Sequence, residues 1–277
     1  MHKTIYATGI TGFIGSSLLP HLLNKYNKVI NFNRGGTFQV IDKVQSEEKK
    51  ISEEIIRENP SNILINLATL YVPYPNSTQV MENLIEANIL FPSRVISSLS
   101  ILEDLKIVNA VSYHQLLDFP SQNVYSLSKE LFKVFLDHQD LEIVNTYIFD
   151  TFGSGDTRNK VTDIFIKNIL NGNDITIPSN EIKINLSDSE AVCLSMLNTF
   201  DLNSGSYSLL GPDTITLEHL ARLIMKISKK EVRLIKANPG RDYFDDIVEF
   251  PENIFMSGSD YCLEQSLKNR IEEIKNT

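Results

Sequence analysis

Two residues four apart, Tyr125 and Lys129 in "VYSLSKELF", have types suited to proton transfer. On a helix that spacing sets both side chains on one face, one turn apart. Ser112 closes the apolar run "KIVNAVS" at 106–112 and adds a hydroxyl. A phenol, an ammonium and a hydroxyl brought together form a proton-transfer set for carbonyl reduction. A free tyrosine, with a pKa of about 10, is a poor acid–base catalyst near neutrality. A neighbouring ammonium favours the phenolate and lowers that value, the more so in a low dielectric. The same Tyr-x-x-x-Lys spacing also suits an ordinary amphipathic helix face, so the upstream sequence has to separate the two readings.

Upstream lies "GITGFIG", which sets Gly9, Gly12 and Gly15 at equal spacing between the strand-like "KTIYAT" and the helical "SSLLPHLLNKY". Where a parallel strand passes into its helix, backbone N–H groups point outward unpaired and the helix dipole adds positive potential. A pyrophosphate can accept those hydrogen bonds only where no side chain blocks it, which is a reason for glycine there. The spacing is G-x-x-G-x-x-G rather than G-x-G-x-x-G, and three such glycines can also serve as turn punctuation. A dinucleotide site that holds a ribose 2′-hydroxyl calls for a carboxylate at the end of the second strand. Here that strand ends "NFNRGG", with Asn33 and Arg34 at the position. A guanidinium suits a 2′-phosphate through charge-assisted hydrogen bonds, so the expectation is NADP(H). The plain alternative is a surface loop arginine.

The elements that must position these groups alternate. Strands are expected at 3–8, 28–33, 62–69, 106–112 and 142–149. Helices are expected at about 13–25, 47–58, 77–100 and 124–138, with "SEEKK" at 46–50 as the solvated start of the second and a kink or break at Pro92. The pattern predicts an α/β fold, a doubly wound parallel sheet of Rossmann type with a smaller C-terminal substrate-binding lobe. Residues 1–157 form the dinucleotide-binding domain, rejoined by about 185–210, and 158–277 form mainly the second lobe. Within that lobe a helix is expected at 161–170, strands near 174–177 and 182–186, and a helix from about 186 capped by Ser187 or Asp188.

The 277 residues carry a net charge of −9 with no dense Lys/Arg run, so nucleic acid and anionic membrane are poor partners. No apolar run approaches the ~20 residues of a bilayer span. A first strand starting at Lys3 leaves no room for a signal peptide. Cys193 and Cys262 make neither a disulfide framework nor a metal site, and the expectation is two reduced thiols in a cytoplasmic protein with no metal.

The segments "TGITGFIG", "NLAT" at 66–69, Ser112, "YSLSK" and "FDTFGSGDTRNK" at 149–160, in that order, resemble the extended short-chain dehydrogenases/reductases. That family comprises NAD(P)-dependent nucleotide-sugar epimerases, dehydratases and reductases. The last segment is similar to reductases of nucleoside-diphosphate 4-keto-6-deoxy or 3,6-dideoxy sugars. The resemblance implies that Tyr125 is the acid, that Lys129 binds the nicotinamide ribose and tunes Tyr125, and that Ser112 holds the carbonyl oxygen. It implies cofactor contacts at Gly9, Gly12, Phe13, Ile14, Gly15, Asn33, Arg34, Leu67, Ala68 and Thr69 besides Tyr125 and Lys129. For the substrate it points to His114 and, as cations for the diphosphate, Arg158, Lys160, Lys183 and Arg241. The related dehydratases carry an Asp-Glu pair where this chain has Tyr113-His114, which speaks against elimination. Neither cysteine falls where the doubly epimerising reductases use one.

The implied activity is NADPH-dependent reduction of the C4 ketone of a nucleoside-diphosphate 4-keto-deoxyhexose. The alternatives are an NAD-dependent nucleotide-sugar 4-epimerase and a non-catalytic dinucleotide-sensing protein. The resemblance also implies a homodimer, packed through the helices at 77–100 and 124–138.

Overall fold

The computed structural model describes residues 4–43, 46–118, 123–255 and 261–276, so the expected strand start at Lys3 lies outside them. Strand β1 (Thr4–Thr8), buried throughout, runs through the glycine turn into α1 (Phe13–Lys25). β2 (Lys28–Asn33) then pairs parallel with β1. At this point the chain departs from the expected crossover. β3 (Thr37–Ile41) and β4 (Ser46–Lys50) fold back as antiparallel strands, and α2 spans only Glu53–Glu58.

The first half of the helix expected at 47–58 is therefore an edge strand, and "SEEKK" is β4 itself. The cause lies in the hairpin. Gly36, at φ +73°, allows a loop in which its N–H donates to the Asn33 carbonyl at 3.2 Å. Phe38 of β3 is buried against Phe32 of β2. With β3 paired, a polar strand can close the edge at little cost, since one of its sides faces water.

β5 (Ile63–Asn66) pairs with β1 on its other side. A long helical run follows as α3 (Thr78–Ile85), a π-helical turn (Glu86–Leu90) and α4 (Phe91–Ser98). The expected break at Pro92 is instead a change of register just upstream. A proline has no N–H to return to the carbonyl four residues back, and widening the preceding turn accommodates that loss.

Next come β6 (Lys106–Ser112), α5 (Val124–Asp137) and β7 (Glu142–Ile148), with β6 and β7 extending the parallel sheet. The second lobe begins with β8 (Asp150–Phe152), α6 (Val161–Leu170), β9 (Ile175–Pro178) and β10 (Lys183–Asp188). Asp188 then caps α7 (Ser189–Leu197) by accepting from Ala191 N, and β11 (Gly205–Leu209) joins the main sheet beside β7. β12 (Thr214–Thr216), α8 (Leu217–Ser228) and β13 (Leu234–Ala237) return to the lobe. β14 (Glu252–Asn253) adds a last parallel strand next to β11, and α9 (Leu263–Lys275) ends the described chain.

The main sheet has the order β14-β11-β7-β6-β5-β1-β2-β3-β4 and is parallel from β14 to β2. On one face α1 and α7 contribute Leu18, Leu22, Val192 and Met196 to the core; on the other α2, α4 and α5 contribute Ile56, Phe91, Val95 and Phe132. This is a Rossmann-type doubly wound sheet. A separate core of Phe152, Phe165, Ile169, Leu186, Leu220 and Leu267 holds the smaller lobe together. Among the described residues no helix is long and apolar enough to cross a membrane.

A buried polar row locks the sheet's register. The Thr8 hydroxyl donates to Asn66 Oδ1 (2.6 Å), Asn66 to Asn109 (2.9 Å) and Asn109 to Asn145 (2.9 Å), across neighbouring strands. A one-residue slip would strand these amides in an apolar core, at about 1–3 kcal/mol for each orphaned group. The row thereby fixes the strand ends from which the site's loops start.

The order of strands reverses at β1 and β5, since β2 lies to one side and β6 and β7 to the other. A crevice opens at the carboxyl ends of such strands.

Candidate active site

At the first end of the crevice the glycine turn is tightly built. Gly9 has φ +69°, and a Cβ there would fall 2.6 Å from Ala68 N. A Cβ on Gly15 would fall 2.3 Å from the Gly9 carbonyl oxygen, so Gly15 serves close packing and does not border the crevice. Gly12 donates its N–H to the Gly9 carbonyl at 3.0 Å and caps α1 with no side chain of its own. The start of α1 is thereby left bare for an anion, as a bound pyrophosphate requires.

Above the turn lies a cleft of about 220 Å³ bordered by Gly9, Gly12, Asn33, Arg34, Ala68 and Thr69. Asn31 steadies its rim, accepting from Ile10 N (3.3 Å) and donating to Asn33 Oδ1 (3.0 Å). Arg34 stands exposed in the β2–β3 hairpin loop. Nearby, the Arg94 guanidinium holds the Glu86 carboxyl below its ordinary range, with a smaller pull from Arg34.

The second end is a smaller cavity of about 100 Å³ that brings Ser112, Tyr125 and Lys129 together with Leu67, Thr69 and Ile14. The Tyr125 phenol shares this cavity with the side chains of Thr69 and Ser112, both of which favour its ionised form. Ser112 is held by a small capping box: its Oγ accepts from His114 N, and its own N–H donates to Gln115 Oε1. Gln115 in turn donates to Glu130 of α5 at 2.9 Å, which ties the serine to the helix of Tyr125.

Burial dominates the electrostatics here. Tyr125 is raised above the ordinary phenol value by desolvation, against the opposing influence of the Thr69 and Ser112 side chains and the charge of Arg158. Desolvation also brings Lys129, only 3% exposed, down to about 8. The expectation that an ammonium would lower the phenol's pKa is reversed in this protein, because burial penalises the charged form of both groups.

His114 also borders this cavity, lowered to about 4 by burial and then by the Lys160 charge. Its buried Nδ1 has no hydrogen-bond partner among the described residues. Arg158 and Lys160 border the cavity as well. Arg158 lies over the ring of Phe13, 4.5 Å from its centroid, and Lys160 lies 4.3 Å from that of Tyr71.

Lys183 and Arg241 do not border it. Lys183 pairs with Asp245 (2.9 Å) and Arg241 with Asp246 (2.7 Å).

Several residues at or beside the crevice escaped the sequence reading. Asn88, in the π-helical turn, accepts from Leu70 N (2.7 Å) and donates to the Leu70 carbonyl (3.2 Å) and to Ser128 Oγ (2.8 Å). It thereby fastens the loop after β5 to α5. Its signal was a lone polar residue in an apolar helical run, four before a proline. Asp150 borders the cavity, its carboxyl raised by burial against the charge of Lys160 and the Tyr113 phenol. Tyr71 meets Tyr125 edge-on at 4.9 Å.

A model for the NAD dependent epimerase/dehydratase family matches residues 5–184. A CDP-abequose synthase of Yersinia pseudotuberculosis is 24% identical over 272 residues, covering 91% of this chain and 94% of that protein. One of Salmonella muenchen is 25% identical over 293 residues, covering 99% and 97%. Among solved structures, the UDP-glucose 4-epimerase of Thermotoga maritima with UDP-glucose superposes with a TM-score of 0.76 at 16% identity over 99% of both chains.

Proposed function

The chain belongs to the NAD dependent epimerase/dehydratase family, and from that premise we propose that it reduces the C4 ketone of a nucleoside-diphosphate 4-keto-deoxyhexose with NADPH. It is a nucleotide-sugar enzyme of the short-chain dehydrogenase/reductase type, and its similarity to two CDP-abequose synthases supports a place in deoxysugar biosynthesis. The observation that carries the reading is that Ser112, Tyr125 and Lys129 line one cavity at the carboxyl ends of the strands.

A reduced nicotinamide bound in the crevice supplies hydride to a carbonyl carbon. Gly9 and Gly12 keep side chains away from the start of α1, where its pyrophosphate would be held. Arg34, with no acid in its place, favours the 2′-phosphate and therefore NADP(H). Ser112 holds the substrate oxygen. Tyr125, kept protonated by burial, donates its proton to that oxygen as negative charge develops there. Lys129 binds the nicotinamide ribose.

Lys183 and Arg241 reach the substrate's diphosphate only by exchanging their aspartate partners, whereas Lys160 stands at the cavity. The half-exposed apolar residues Ile85, Leu90, Leu131, Val134 and Phe135 on the α3–α4 run and α5 support a homodimer.

The test is Tyr125→Phe. Dinucleotide oxidation with keto-sugar nucleotides should fall by about 10²–10⁴-fold while NADPH binding persists. Undiminished turnover in that variant rules the mechanism out.

A further inference from the structure

Of the cations expected to meet the substrate, Arg158 is placed differently from Lys183 and Arg241. It lies in the loop between β8 and α6, yet its guanidinium rests on Phe13, the first residue of α1. Phe13 stands at the helix start that the glycines leave bare. The same guanidinium borders the cavity that holds Ile14, Leu67, Tyr125 and Lys129. Arg158 therefore spans the interval from the helix start to the reacting groups, and the nicotinamide-side phosphate of a dinucleotide must lie in that interval.

The guanidinium is also held in place. Nε and Nη2 donate to the two oxygens of Asp156, each at 2.7 Å, and Nη2 donates further to the Thr151 carbonyl at 3.2 Å. Asp156 is the better buried partner, its side chain 2% exposed against 29% for Arg158. Nη1 takes part in none of these hydrogen bonds. A pre-oriented guanidinium with one nitrogen in hand is the form in which arginine binds phosphate well, since little side-chain freedom remains to be lost.

We propose that Arg158 is a cofactor residue, reaching from the C-terminal lobe to hydrogen-bond the nicotinamide-side phosphate of the bound dinucleotide, with Asp156 and Phe13 positioning it. The proposal rests on the dinucleotide reading of the glycine turn and adds to it a contribution from the second lobe. Dinucleotide binding then fastens the β8–α6 loop to α1 before any substrate arrives.

The experiment is a titration of full-length wild type, Arg158→Gln and Phe13→Leu with NADPH and NADH, substrate being absent. 2′,5′-ADP and 5′-AMP serve as probes of the adenosine half alone. Arg158→Gln should weaken whichever dinucleotide the wild type prefers by about 10-fold or more and leave the matching adenosine probe within about twofold. Phe13→Leu should cause a smaller loss of the same selectivity.

Unchanged dinucleotide affinity in Arg158→Gln overturns the proposal, as does an equal loss for dinucleotide and adenosine probe, which marks a general effect on the fold. If the wild type binds neither dinucleotide, the reading of the glycine turn itself fails, a pattern distinct from both of those.

Discussion

At one end of the crevice Arg34 sits in an exposed hairpin loop over an open cleft; at the other Lys129 and Tyr125 are almost fully buried. Both ends present cations, but the solvent treats them differently. Water screens the charge of Arg34, so its influence depends on direct contact and on salt. At the closed end water is excluded, and desolvation outweighs every neighbouring charge on Tyr125, Lys129 and His114. The open end can therefore select a charged ligand, while the closed end sets protonation states.

The sharpest way to break this contrast is Lys129→Met. Below pH 8 the folded chain carries a buried ammonium and the unfolded chain a hydrated one, so the fold bears the full burial cost. Between about 8 and the ordinary 10.5 only the unfolded chain remains protonated, and stability rises with pH. Lys129→Met should therefore stabilise the protein at pH 7 by about 3 kcal/mol, flatten that rise in urea denaturation and abolish turnover. A destabilised variant would show that the ammonium is compensated.

His114 provides the acid-side counterpart. Its pKa is lowered from 6.5 to about 4, so stability falls as pH drops through that window, by at most about 3 kcal/mol. In His114→Phe the loss between pH 6.5 and 4 should be smaller by a comparable amount, read from thermal unfolding across pH.

Arg34→Ala probes the open end. NADPH affinity should fall by about 10–100-fold with NADH affinity unchanged, and the wild-type preference for NADPH should shrink as salt rises. Equal losses for both dinucleotides would remove Arg34 from the 2′-phosphate.

Asn88→Ala, at the seam between the ends, should cost about 1–2 kcal/mol and speed hydrogen exchange at the Leu70 amide. Unchanged exchange would mean the loop is held by other contacts.

The sequence made the alternating elements legible, along with the Tyr125/Lys129 pair, because a helix imposes its own spacing on side chains four apart. Gly9 was legible for a similar reason, since few residues adopt its backbone conformation. β4 was not. "SEEKK" is rich in helix formers, and only its pairing with β3 makes it a strand. Asn88 stayed hidden because its partners lie 18 and 40 residues away. Asp150 lay inside the quoted segment at 149–160 without a role of its own, because only folding sets it beside the cavity.

By itself the amino-acid sequence determined the parallel strands and most of the helices between them, where those strands end and which polar side chains the ends carry. Local geometry and periodicity act between near neighbours, so those features could be read along the chain. The tertiary structure alone decided how strongly each group is desolvated and which acid pairs with which cation. That is why Lys129 is brought to about 8 and Tyr125 is raised. It is also why Lys183 and Arg241 face aspartates while Arg158 lies against α1. Solvent exclusion and Coulomb interactions act through space, between residues that only the completed fold makes neighbours.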